Sequence, residues 1–282
     1  MRRSARMRKT AMATVIGAAA ALAPAFYYGS SLRAQESPGH RDALPIEMPG
    51  APEPMQGPAL LAEESGVPPR GQRLRAIVAR ALDDSIATWK RLLQAQSDEV
   101  EDVNLRFVTR LEPANCYGLY AGEGPAYCSG NRTVFVGTHE ANRLMARFGP
   151  HGEAGITFLI GHEMGHHIQN IYGRFHLLHH VIARLPDART DLVRRFELEA
   201  DCYAGVWIQA SPAWAKSARF RSDLLAVLAG MGDDSVLGLE GAEIAQAQGL
   251  HGTSEQRTRW FVRGTNSRGD WRACNVFSAA AP

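Results

Sequence analysis

The 282-residue sequence predicts an α+β fold dominated by helices, with a small β-sheet ahead of a buried central helix. Three patterns carry that prediction. From Gln72 to Gln94 apolar residues recur at three- and four-residue steps, the signature of an amphipathic helix. A second stretch, Ala154 to Ile171, is apolar on most sides and reads as a helix buried in a core. Between them lie two short runs of strand-forming residues, Leu105-Arg106-Phe107-Val108 and Thr133-Val134-Phe135-Val136, flanking a Gly-rich loop.

In chain order, residues 1–34 read as an export segment. Arg2, Arg3, Arg6, Arg8 and Lys9 precede an apolar run from Ala11 to Tyr28, the layout of a signal peptide or a signal anchor. Ala23-Pro24-Ala25 offers a small-x-small cleavage site, while a run of about 18 residues also suffices to span a bilayer, so a single N-terminal membrane anchor stays open. Residues 35–71 hold eight prolines and almost no apolar periodicity, which fits an extended, disordered linker. Residues 72–282 then form one domain of ordinary size, in a chain that is 45% hydrophobic. The formal net charge of +2 is misleading, because cleavage after Ala25 leaves 26 basic against 29 acidic residues. No basic footprint for nucleic acid remains.

The chemistry is concentrated in Gly161-His162-Glu163-Met164-Gly165-His166-His167. Residues four apart share one helix face, so His162 and His166 can turn both imidazoles toward one zinc ion. Glu163 is rotated about 100° from the first ligand and stands beside the metal, where a carboxylate acts as general base. A hydrolytic zinc site takes a third protein ligand, and the best source is Phe196-Glu197-Leu198-Glu199-Ala200-Asp201. Glu197 and Asp201 are again four apart, so Glu197 can bind zinc while Asp201 accepts a hydrogen bond from a ligand imidazole. Glu199 points about 200° away from Glu197 and is the weaker candidate.

These motifs resemble the putative neutral zinc metallopeptidase family of exported or membrane-anchored bacterial proteins. The matching blocks are His162 to Asn170, Glu197 to Gly205, His251-Gly252-Thr253-Ser254-Glu255-Gln256-Arg257 with Trp260-Phe261 and Gly264, and an upstream match from Asn115-Cys116 to Cys128. The resemblance spans residues 72–277. It implies a zincin-like metallopeptidase domain, zinc held by two histidines and a glutamate, and a peptide or protein substrate. In zincin-like folds a strand placed like Thr133–Val136 commonly forms the edge on which a peptide lies; an ordinary half-buried strand is the equal alternative.

Four cysteines suit an exported, periplasmic or extracellular protein. Cys116 and Cys128 bracket a short loop and are expected to pair, leaving Cys202 with Cys274, although four cysteines allow three pairings. Cys202 as a zinc ligand is the competing reading. Thr253 and Gln256 form a capping-box pattern that starts a helix running to about Val262. In the same block His251 or Arg257 is expected to reach the zinc cleft and stabilise an oxyanion, with Tyr203 a further donor candidate. His167 reads as a buried hydrogen-bonding group, and His176, His179 and His180 as surface or packing residues. Asp187 is expected to cap a helix, and Asp233-Asp234 to form a helix-end turn or a calcium site. The function expected is zinc-dependent peptide hydrolysis. A non-catalytic, metal-stabilised envelope binding protein and a cell-wall peptide amidase are the alternatives.

Overall fold

The computed structural model describes residues 69–95, 100–111, 124–236, 251–280 and 282. The expected export segment and most of the Pro-rich linker lie outside them. No helix among the described residues is long and apolar enough to cross a membrane. Helix α1 (Pro69–Gln94) begins three residues before Gln72 and buries the predicted stripe, with Leu74, Val78, Ala81, Trp89 and Leu93 fully enclosed.

Strands β1 (Asn104–Val108), β2 (Ala126–Cys128) and β3 (Thr133–Gly137) form one sheet in the order β1-β3-β2. β1 runs parallel to β3, with Asn104 opposite Thr133, and β2 runs antiparallel to it, with Tyr127 opposite Val134. This corrects the expectation for Thr133–Val136. That strand is central and buried, so the strands left with an open side among the described residues are the outer two, β1 and β2. The three residues of β2 carry too little alternation to announce a strand in sequence.

β3 passes directly into α2 (Thr138–Phe148), and a 3-10 turn at Gly149–His151 leads into α3 (Gly152–Ile171). α3 is buried from Ala154 to Gln169 because α1, α2, α5 and α6 all pack against it. After Gly173, in the left-handed region at φ 67°, comes α4 (Arg174–Arg184). α5 (Arg189–Ala210) follows a 3-10 turn at Pro186–Ala188, so Ala188 rather than Asp187 occupies its cap position. α6 (Ala218–Leu228) is capped by Ser217, and α7 (Asp233–Val236) is a single turn. α8 (Ser254–Asn266) starts with the predicted capping box of Thr253 and Gln256 and runs four residues past Val262. The result is the helix-dominated α+β fold the sequence predicts.

α5 and α8 touch backbone to backbone: a Cβ at Gly205 would collide with Phe261 O, and one at Gly264 with Cys202 O. The Cys202–Cys274 disulfide, with a Cα–Cα distance of 5.6 Å, ties the segment after α8 to the same helix. Cys202 is therefore not a metal ligand. Cys128 is also disulfide-bonded, while Cys116, its expected partner, lies outside the described residues.

Candidate metal centre

The site is built where α3 crosses α5. A Cβ at Gly161 would stand 2.5 Å from the Trp207 ring, and one at Gly165 2.8 Å from Ala200 O. Two glycines one turn apart thus let the helices approach closely enough for side chains on one to reach the other. His162 and His166 come from α3, and Glu197 and Asp201 come from α5. Glu197 Oε2 lies 3.1 Å from His162 Nε2 and 3.3 Å from His166 Nε2. Both imidazoles are buried, whereas the Glu197 side chain keeps 16% exposure, so the centre opens to one side.

Each ring is held by its other nitrogen. His162 Nδ1 donates to Asp201 Oδ1 at 2.7 Å, and that carboxylate is itself gripped by Arg257 through Nε and Nη2, both at 2.9 Å. His166 Nδ1 lies 2.8 Å from Gln169 Oε1. The amide of Gln169 has one possible orientation, because its Nε2 faces two acceptors, Phe196 O at 2.8 Å and Glu199 Oε2 at 2.9 Å. His166 Nδ1 must therefore be the protonated nitrogen. In their neutral forms both histidines then direct Nε2 lone pairs at an ionised carboxylate oxygen. Three electron-pair donors converging at this range repel one another unless a cation lies among them.

The titration of these groups has the same cause. Burial works against a charged His162, yet hydrogen bonds to Asp201 and Glu197 outweigh it and push it up to about 10. Burial likewise opposes charge on His166, and the Glu197 carboxylate reverses the balance and raises it. Burial would push Glu197 up, but His166 and His162 hold it well below the usual carboxylate range. The pocket thus favours positive charge between the imidazoles and Glu197. Two imidazole nitrogens and one carboxylate oxygen, partly open on one side, form a donor set suited to zinc in a hydrolytic site.

Glu163 lies outside that donor set. It is buried, accepts a hydrogen bond from the Tyr127 backbone on β2, and is raised by burial against the opposing influence of the two imidazoles. His251 stands at the open side, with Nε2 3.8 Å from Glu197 Oε2 and Nδ1 3.8 Å from Asp233 Oδ1. Its donor atom lies within 4.8 Å of those of His162 and Glu197, so a second triad overlaps the first. The triad with His166 is the tighter around Glu197, and its rings are buried and braced, whereas His251 is 51% exposed. His251 accordingly stands at the exposed rim of the centre.

Arg257 does not. It is buried beneath Asp201 with 4% of its side chain exposed, and each of its three nitrogens donates inward, Nε and Nη2 to Asp201 and Nη1 to Met231 O at 3.0 Å, so the group is turned to the core and not to the cleft. The expectation that Arg257 reaches the cleft is corrected: the guanidinium braces the carboxylate that braces His162. Tyr203 is buried in the core, edge-on to Trp89 at 5.7 Å and Trp271 at 6.4 Å. Asp233 and Asp234 accept from the Gly252 backbone and from Ser254 respectively, which joins the two chain segments rather than forming a cation site.

His167 is the buried hydrogen-bonding group the sequence predicts, but its partners and the role of Glu199 were not foreseen. Glu199 is buried and accepts from Arg174 Nη2 at 2.8 Å as well as from Gln169; burial raises it to about 7 against the pull of Arg174. Tyr127 Oη donates to His167 Nδ1 at 2.9 Å and accepts from Asn170 Nδ2 at 3.0 Å, and His167 Nε2 donates to Glu101 O. This network fastens β2 to α3 beside Glu163. Gln169 carried a readable signal, lying one turn beyond His166, whereas Arg174 and Glu199 did not.

Comparison with known proteins agrees with this geometry. "Uncharacterized protein YpfJ" of Escherichia coli is 28% identical over 193 residues, covering 67% of this chain and 67% of that protein. "Uncharacterized protein Rv2575" of Mycobacterium tuberculosis is 30% identical over 209 residues, covering 69% of this chain and 67% of that one. No solved structure matches the chain. The family model described as "Putative neutral zinc metallopeptidase" matches residues 44–277, which include every described donor of the centre, and the chain belongs to that family.

Proposed function

We propose that the protein is a zinc-dependent peptidase, with His162, His166 and Glu197 as metal ligands and Glu163 as general base. The observation that carries this is a carboxylate beside the donor set but not part of it. A structural zinc site closes its fourth position and has no use for such a group. Zinc, when bound, acidifies water and polarises a scissile carbonyl. Glu163 takes a proton from the attacking water and passes it to the leaving amine nitrogen. Its burial favours holding that proton between the two transfers. Asp201 and Gln169 hold the imidazoles so that their Nε2 atoms face the metal. His251, half exposed at the open side, donates a hydrogen bond to the oxyanion that develops on the substrate.

The side of β2 that is unpaired among the described residues gives a peptide backbone a strand to pair with, next to Glu163. Export from the cytoplasm belongs to the same reading, supported by the N-terminal sequence and by the buried Cys202–Cys274 disulfide. The test is a pair of variants. Glu163→Gln is expected to retain zinc and lose hydrolysis, and His166→Ala to lose both. A Glu163→Gln protein cleaving as fast as wild type would end this mechanism.

A further inference from the structure

The two ligand histidines are braced in different ways. His162 leans on a carboxylate, which can only accept, so the tautomer of the ring is not in question. His166 leans on an amide, which can present either end. Were Gln169 reversed, its NH2 would face His166 Nδ1, and the ring proton would move to Nε2, the atom that must bind metal. What prevents the reversal lies further out. Phe196 O and Glu199 Oε2 both accept from Gln169 Nε2, and Arg174 Nη2 in turn donates to Glu199 Oε1.

Glu199 is 1% exposed, a setting in which a carboxylate keeps its charge only with a cation at hand. Arg174 supplies that cation from the first turn of α4, after the left-handed Gly173. The next residue, Phe175, sets its ring 6.0 Å from His166 and 4.8 Å from Phe196. The first turn of α4 therefore meets the His166 side of the centre twice, once by charge and once by packing.

We propose that Glu199 and Arg174 are positioning residues for the metal: through Gln169 they hold His166 in the tautomer and pose that bind zinc, so that α4 helps to set zinc affinity. The inference rests on the metal-centre reading above. Its test reads zinc binding rather than hydrolysis, so it stands apart from whether the protein cleaves peptides.

Full-length protein is stripped of metal and titrated with zinc against a chromophoric chelator, as wild type, Glu199→Leu, Arg174→Ala, Arg174→Lys and Arg195→Ala. Glu199→Leu and Arg174→Ala are expected to bind zinc about 10- to 100-fold more weakly, with Arg174→Lys recovering most of the loss. The gap between the melting temperatures of the zinc-loaded and metal-free forms should shrink in step. Arg195 is a control on α5: it pairs with Asp191 and donates to Val276 O and Ala279 O, none of which is a metal donor or a member of the Gln169 chain. Arg195→Ala should lower both melting temperatures together and leave zinc affinity unchanged.

Should Glu199→Leu fail to fold, Arg174→Ala carries the test, since Arg174 is partly exposed, unlike Glu199. Zinc affinities within about threefold of wild type in the folded variants would overturn the inference and leave the chain a purely structural one. A wild type that binds no zinc would overturn the metal-centre reading and this inference with it.

Discussion

Replacing Arg257 with Met separates two roles for this residue. The methionine keeps most of the stem and removes the guanidinium. Asp201, fully buried, then loses the two hydrogen bonds at 2.9 Å and keeps the one from His162 Nδ1 at 2.7 Å. Burial alone would push Asp201 up, and Arg257 and His162 together hold it below its ordinary range, so the arginine matters to the charge itself. Breaking a buried pair from one side costs about 3–5 kcal/mol. The surviving bond to His162 places the expected loss toward the lower end, about 3 kcal/mol, or roughly 6–12 °C of melting temperature for a domain of this size. Thermal unfolding of the metal-free protein measures it. Zinc affinity should fall as well, because His162 loses a firmly held acceptor. If metal-free stability were unchanged and only turnover fell, Arg257 would be acting in the cleft and the buried-pair reasoning would be wrong.

Three further outcomes follow from the same geometry. Gly165→Ala places a methyl 2.8 Å from Ala200 O, so α3 and α5 must part, and zinc binding should weaken together with stability; an unchanged zinc titration would contradict the close-approach argument. Removing the Cys202–Cys274 bridge, whose ends are 72 residues apart, should cost about 4 kcal/mol in denaturant unfolding, and a loss below about 1 kcal/mol would show that packing of α8 alone suffices. Burial, with the charge of Arg132 adding to it, lowers His167 from 6.5 to about 4. The unfolded chain therefore takes up this proton first, so the contribution of His167 is fully present above about pH 6.5 and is lost as pH falls toward 4, by up to about 3 kcal/mol. Comparing wild type with His167→Gln across that window should show a shallower acid slope in the variant, and identical slopes would refute it.

The parts of the site legible in sequence are those set by local helix geometry. His162, Glu163 and His166 share one helix, Glu197 and Asp201 another, and the i, i+4 spacing states which side chains share a face. The Thr253–Gln256 cap was readable for the same reason, since both residues act within one turn. Illegible were the features that depend on how distant segments meet. Arg257 stood out in sequence only as a candidate for the cleft, and its bracing role shows once α8 is packed on α5 and its guanidinium lands on Asp201. Glu199 points away from Glu197 along α5, which made it a weak ligand candidate; that direction carries it to Gln169 and Arg174. Alternation left Thr133–Val136 open between an edge and an ordinary strand, and its central place could not be read because β2, which covers one side of it, has only three residues and leaves no periodic trace. Asp233 and Asp234 read in sequence as a helix-end turn or a calcium site, yet one oxygen of each accepts from backbone or hydroxyl donors about 20 residues away along the chain.

The central claim is that the donors of α3 and α5 hold a zinc ion that makes this chain a peptidase. Its most direct test is cleavage of a random peptide library by the full-length protein, followed before chelation, after chelation, and after zinc is restored. The account predicts cleavage that vanishes with the chelator and returns at one zinc per chain. One zinc bound per chain with no cleavage of any peptide would contradict it.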